Sequence, residues 1–127
     1  MLVCKKFKFD AAHYLPGYDG VCRRLHGHTW YLEVEVEGPV DARSGFVIDF
    51  AELKRIVTET ILDRLDHQCL NDVLKDELVN EYGVINPTCE NLLNWVWKKF
   101  DTRPFRSPGV VRLRLYESPD SFAELRA

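Results

Sequence analysis

The sequence predicts an α+β fold, and three observations predict it. Two stretches near the N-terminus alternate apolar and polar residues with a period of two. Two later stretches repeat apolar residues with a helical period, and a further alternating stretch follows them near the C-terminus. The order is strand, strand, helix, helix, strand. No internal repeat, low-complexity tract or linker interrupts it, so residues 1–127 are expected to form a single domain.

The first strand covers residues 3–12. Phe7, Phe9 and Ala11 share one parity, and Lys6, Lys8 and Asp10 share the other, the pattern of a half-buried strand. His13 continues the apolar parity. Residues 14–25 read as a loop, since Pro16, Gly17, Asp19 and Gly20 are turn formers; the loop also carries Cys22, Arg23 and Arg24. In the second strand Trp30, Leu32, Val34 and Val36 alternate with Glu33, Glu35 and Glu37, and His26 and His28 lie on the apolar parity. After a loop at 38–45, Phe46, Val47 and Ile48 are expected to form a short third strand.

Helix one is expected over residues 50–65, with Asp49 as its cap, Glu52 completing a capping box, and Phe50, Leu53, Val57, Ile61 and Leu65 as its apolar face. Helix two is expected from Pro87, capped by Asn86, with Cys89, Leu92, Leu93, Val96 and Phe100 facing inward. Residues 66–86 carry no clear period. The last clear strand, 110–117, turns Val111, Leu113 and Leu115 in and Arg112 and Arg114 out, which leaves Glu117 on the inward parity. A short edge strand follows near Phe122.

Composition narrows the function. A formal net charge of -3 argues against a nucleic-acid binder that relies on a basic face, yet permits an anionic small substrate held by local Arg and Lys. The first residues have no apolar signal core, and no apolar run approaches the ~18 residues of a membrane span. A cytoplasmic protein is therefore expected, with Cys4, Cys22, Cys69 and Cys89 as reduced thiols.

Residues i and i+2 of a strand point to one face, so His26 and His28 can reach one metal ion. His13 joins them if the first two strands pair across the 14–25 loop. Three neutral imidazoles suit Zn²⁺ and leave a fourth position open, as in catalytic sites; the other reading is a chance His-x-His in a sheet. Cys22, flanked by Arg23 and Arg24, is a candidate reactive thiol, with a buried hydrophobe or a fourth zinc ligand as alternatives. Asp66 beside His67 is either a proton-transfer pair or a histidine at a helix C-terminus. Glu117 needs a partner, internal or a ligand. Glu90, in the first turn of helix two, either contacts a ligand or complements the helix dipole.

Together these residues resemble the 6-pyruvoyltetrahydropterin synthase / 6-carboxytetrahydropterin synthase family over nearly the whole chain. Phe9-Asp10-Ala11-Ala12-His13 is a form of its F-x-A-x-H, and Cys22-Arg-Arg-Leu-His26-Gly27-His28 is its C-x-x-x-H-G-H. Gly45 to Phe50, Leu65-Asp66-His67-Gln-Cys-Leu70-Asn71, Asn86 to Asn91 and Tyr116-Glu117-Ser118 continue the likeness.

The resemblance implies the tunnelling fold, a four-stranded antiparallel sheet with two antiparallel helices on one face. It implies trimers, commonly stacked in pairs as homohexamers, with active sites between subunits. It implies 7,8-dihydroneopterin triphosphate as substrate and Zn²⁺ on His13, His26 and His28. Cys22 then matches the general base, Asp66 and His67 the partner proton relay, Glu117 the pterin anchor and Glu90 a supporting contact. Three residues between the cysteine and H-G-H, rather than the five usual for pyruvoyl-forming enzymes, resemble the carboxy-forming branch of 7-deazaguanine (queuosine) synthesis. The pyruvoyl-forming synthase and a non-catalytic zinc- or pterin-binding module are the alternatives. Cys89 departs from the Ser or Thr of many relatives.

Overall fold

The structure, a computed structural model, describes residues 1–101 and 108–127. Its sheet has the strands β1 (Leu2–His13), β2 (His26–Glu37), β3 (Gln68–Cys69), β4 (Gly109–Ser118) and β5 (Ser121–Arg126), in the spatial order β3-β1-β2-β4-β5. The four longer strands are antiparallel neighbours, and β3 adds two residues parallel to β1 at Ala11 and Ala12. The expected four-stranded antiparallel sheet is thus present, extended by one short parallel strand.

The alternation read from β1 and β2 sets their register. Pairing runs unbroken from Leu2 opposite Glu37 to His13 opposite His26. A one-residue slip would turn Phe7, Phe9, Trp30 and Leu32 to the outer face, so burial fixes this pairing. Trp30 is fully buried, and its indole N–H donates to the Ala11 carbonyl at 3.2 Å, so its polar tip is satisfied inside the core.

The inner face of the sheet packs against helices. Helix α1 (Phe50–Val57) runs through a π-helical turn (Thr58–Leu62) into α2 (Asp63–Leu65), which matches the expected span. Leu53, Val57, Ile61 and Leu65 are buried, and so is Ile56, whereas Phe50 is about half exposed and lies outside the apolar face expected for it. Asp49 caps the helix by accepting from the Ala51 N–H at 2.8 Å. The expected capping box is incomplete, because the Glu52 carboxylate pairs with the Arg55 guanidinium instead.

Residues 66–86, unreadable from period, hold β3 and the single turns α3 (Leu70–Val73) and α4 (Lys75–Leu78). Helix α5 (Cys89–Asp101) buries Leu92, Leu93, Trp95, Val96 and Phe100. Its cap is Thr88 rather than Asn86: the Thr88 Oγ1 accepts from the Asn91 N–H, and the Asn86 carbonyl is taken by the Asn91 side chain. Residues 46–48 form no strand. Asp41 draws the N–H groups of Arg43 and Ser44 into a local turn, and its own N–H bonds Phe46, so that stretch is held by a loop instead of a ladder. No helix among the described residues is long and apolar enough to cross a membrane.

Candidate functional site

The β1–β2 register places His13 directly opposite His26 and His28 opposite Ala11, all on the inner face near one end of the sheet. The three rings lie 4.6 to 5.1 Å apart by centroid, and one nitrogen from each falls within 4.8 Å of the others. Backbone carbonyls orient two of them. The His13 Nδ1 lies 2.8 Å from the Pro87 oxygen, and the His26 Nδ1 lies 2.7 Å from the Arg24 oxygen. A carbonyl only accepts, so each Nδ1 carries the proton and each Nε2 is left with its lone pair.

The Nε2 atoms of His13 and His28 are buried without a hydrogen-bond partner. The Glu117 carboxylate approaches the His28 Nε2 at 3.9 Å, too far for a hydrogen bond. Burial pushes the pKa of both His13 and His28 below the ordinary imidazole value, so both are neutral at neutral pH. Orphaned buried nitrogens are rare in folded proteins. Three imidazoles, each with one nitrogen within 4.8 Å of the others, form a donor set that suits a divalent ion such as Zn²⁺.

Glu117, at the end of β4, and Glu90, in the first turn of α5, line one cavity of about 350 Å3 together with Thr88, Cys89 and Phe122. The Cys89 thiol donates to the Leu115 carbonyl at 3.2 Å. Burial raises its pKa to about 11, so it stays protonated in the wall of the cavity.

Asp66 and His67 follow α2 and form a second group. One Asp66 oxygen accepts from the Asp10 N–H at 2.9 Å, and the other lies 3.0 Å from the His67 Nδ1. The Asp10 N–H, then His67, hold the Asp66 carboxyl below the usual carboxylate range. His67 donates its own N–H to the Asp10 carbonyl at 2.6 Å and adopts a left-handed backbone, φ +58°, while its ring stands in solvent. The Asp10 side chain leaves β1 opposite to Ala11 and His13, and Thr29 binds it at 2.5 Å. A recess of about 550 Å3, with Ala12 and Gly27 in its wall, lies beside His67.

The structure therefore brings His13, His26 and His28 together and sets Glu117 beside them and Glu90 in the adjoining cavity. It groups Asp66 with His67 on the other face of the β1–β2 pair. Cys22 sits in a 3-10 turn (Val21–Arg23), with its carbonyl bonded to the Leu15 N–H. No hydrogen bond among the described residues ties its thiol to either group.

Three positioning roles escaped the sequence reading, although Asp10 and Asn71 stand in its motifs. Asn71, almost fully buried, grips both backbone groups of Tyr14 at 3.0 and 2.9 Å and so fixes the chain beyond His13. An amide among the apolar residues Leu70, Val73 and Leu74 was its signal. Asp10 and Thr29, which hold the Asp66–His67 pair, carry no signal beyond the polar parity of their strands.

Residues 2–127 match the family model described as 6-pyruvoyl tetrahydropterin synthase. The chain belongs to this family. The 6-carboxy-5,6,7,8-tetrahydropterin synthase of Haemophilus influenzae is 34% identical over 96% of each chain. A Synechocystis protein of the same description is 33% identical over 96% of this chain and 90% of its own. The dihydroneopterin monophosphate aldolase of Pyrococcus furiosus is 34% identical over 92% and 90%. The solved 6-pyruvoyl tetrahydropterin synthase of Caenorhabditis elegans superposes with a TM-score of 0.81 at 24% identity, covering all of this chain and 95% of its own, which shows the fold. The α+β tunnelling fold expected from the motifs is the fold of the 6-pyruvoyl tetrahydropterin synthase family, and that family is one of pterin-synthase enzymes.

Proposed function

We propose that residues 1–127 form one 6-carboxy-5,6,7,8-tetrahydropterin synthase domain, a zinc-dependent carbon–carbon lyase. It converts 7,8-dihydroneopterin triphosphate and one water to 6-carboxytetrahydropterin, acetaldehyde and triphosphate, as a cytoplasmic step of 7-deazaguanine (queuosine) synthesis. Two relatives of that description, each at about a third identity over nearly the whole chain, support the reading. So does the three-residue spacing between Cys22 and His26. The observation that carries it is the convergence of three imidazoles, with the Nε2 atoms of His13 and His28 orphaned, beside Glu117 and its cavity.

His13, His26 and His28 hold the zinc, which when bound acts as a Lewis acid on side-chain oxygens of the substrate and acidifies the adjoining C–H groups. Glu117 accepts two neighbouring N–H groups of the pterin edge with its two oxygens, and Glu90 supports the ring from the α5 end of the cavity. Cys22 acts as the general base and takes a proton from the substrate side chain. Asp66 holds the Nδ1–H of His67, so that the ring presents Nε2 to a second proton transfer.

Asp66 and His67 gather with the Asp10 side chain, which leaves β1 on the face opposite to His13. A homo-oligomer, a trimer or a dimer of trimers, supplies the pair from a neighbouring subunit.

Product analysis by mass spectrometry tests this with purified protein. Acetaldehyde and 6-carboxytetrahydropterin are expected. A 6-pyruvoyl product without carbon loss would move the protein to the pyruvoyl-forming synthases. Turnover of dihydroneopterin monophosphate alone would align it with the Pyrococcus furiosus relative. No turnover by zinc-loaded protein would leave a non-catalytic binding module.

A further inference from the structure

We propose that Asn71 is a positioning residue of the reaction: by holding both backbone groups of Tyr14, its side-chain amide sets the loop that carries Cys22. The inference rests on the reading of Cys22 as general base and adds the residue that fixes where Cys22 stands.

Among the described residues, the buried polar ones are His13 and Asn71. His13 has its place in the imidazole group. Asn71 lies in the single turn α3 beside Leu70 and near Leu74, both fully buried. A buried amide is costly unless it is paired. Both ends of this one are spent on a single residue. The Oδ1 accepts from the Tyr14 N–H at 3.0 Å, and the Nδ2 donates to the Tyr14 carbonyl at 2.9 Å.

The local topology explains why an amide stands there. Gln68 and Cys69 of β3 pair with Ala11 and Ala12, and the chain then turns into α3. The β3 backbone thus stops short of Tyr14. The Asn71 side chain offers the donor and acceptor of a peptide group, so it stands in for the next strand residue. Tyr14 is held as if the ladder ran on past His13 to the start of the loop.

The hold passes directly to Cys22. Leu15, next to Tyr14, donates its N–H to the Cys22 carbonyl at 2.9 Å. On the other side of Cys22, the Arg24 carbonyl meets the His26 Nδ1 at 2.7 Å. Cys22 is therefore tied at one side to β2 and at the other, through Leu15 and Tyr14, to Asn71. Removing the amide frees the second tie. Misplacing a reacting group by about 1 Å costs on the order of 10²-fold in rate.

Hydrogen exchange by mass spectrometry on zinc-loaded protein, resolved to Tyr14 and Leu15, reads the clamp itself. In the unaltered protein both amides should exchange at least about a hundredfold more slowly than in an open peptide. Exchange at the open-peptide rate overturns the clamp, whether or not any variant folds. In Asn71→Ala both should speed up at least about tenfold relative to the Leu32 amide of β2. Equal acceleration at Leu32 would mean general loosening and would overturn the proposal. On 7,8-dihydroneopterin triphosphate, kcat should fall at least about tenfold with KM within about threefold, since Glu117 and Glu90 stand on other elements. Asn71→Asp, of the same shape, keeps the acceptor but not the donor; it takes the place of Asn71→Ala should that variant not fold, with the same split expected. Val57→Ala, a core cut in α1, should keep kcat within about threefold of the unaltered protein. An equal kcat loss in Val57→Ala, or full kcat in Asn71→Ala with Tyr14 and Leu15 freed, overturns the positioning role. Cys22→Ala, measured alongside, separates the two readings. Full turnover in Cys22→Ala overturns the general-base reading and this inference with it. An inactive Cys22→Ala beside a fully active Asn71→Ala overturns this inference alone.

Discussion

Replacing Asp66 with Asn separates holding the fold from handling a proton. The amide keeps one oxygen for the Asp10 N–H, now 2.9 Å from the carboxylate. The other position becomes an NH2 facing the His67 Nδ1, which lies 3.0 Å away. Donor then meets donor, so the ring must turn over or change tautomer, and Nε2 no longer presents the same proton state. The pair is open to water, His67 by 78% and Asp66 by 43%. Solvent screening therefore limits the stability loss to about 0.5–1 kcal/mol. Loss of a positioned proton-transfer group lowers turnover by roughly 10²–10⁴-fold, about 3–5 kcal/mol of barrier. Thermal unfolding and steady-state turnover on 7,8-dihydroneopterin triphosphate read the two effects. The Asp66 carboxyl titrates below its unfolded value. Its contribution is therefore present above the ordinary carboxylate range and fades as pH falls through the depressed folded value. The variant should lack that acid limb. Turnover within about threefold of the unmodified protein, or unfolding costlier than about 3 kcal/mol, would refute the assignment.

Cys22→Ala should retain stoichiometric zinc by elemental analysis and lose turnover by roughly 10²-fold or more; loss of the metal instead would make Cys22 a ligand. Glu117→Gln should raise KM about tenfold or more with little change in melting temperature, because it removes a charge-assisted contact to substrate. Stripping the metal should lower the melting temperature, since zinc binds only the folded site. In that metal-free protein His13 and His28 titrate below their unfolded value, so the unfolded state binds more protons as pH falls below about 6.5. Stability should decline over that window, and denaturant melts at pH 7.5 and 5.5 measure it.

The β1–β2 half of the site was legible because a period of two is strict. Once Phe7, Phe9, Trp30 and Leu32 had to face inward, His13, His26 and His28 had to share that face, and the observed register agrees. Helix one was legible from its apolar period, though Phe50 was misjudged at the helix end, where a side chain can turn to solvent. What stayed hidden depends on local polar competition or distant backbone. Asp41 holds residues 41–46 in a turn, so the β-rich residues Phe46 to Ile48 never meet a partner strand. The Pro87 carbonyl that orients His13 is 74 residues away and has no side-chain signature. The left-handed turn at His67 was equally invisible, because its support is the Asp10 backbone. The motif resemblance supplied roles for Glu90 and Glu117 that spacing alone left open.

X-ray absorption at the zinc edge of the metal-loaded protein probes the donor set itself. Three imidazole nitrogens at about 2.0–2.1 Å with one further light atom, and no sulfur, are the predicted shell. A sulfur scatterer at about 2.3 Å, or fewer than three imidazoles, would contradict a centre built from His13, His26 and His28.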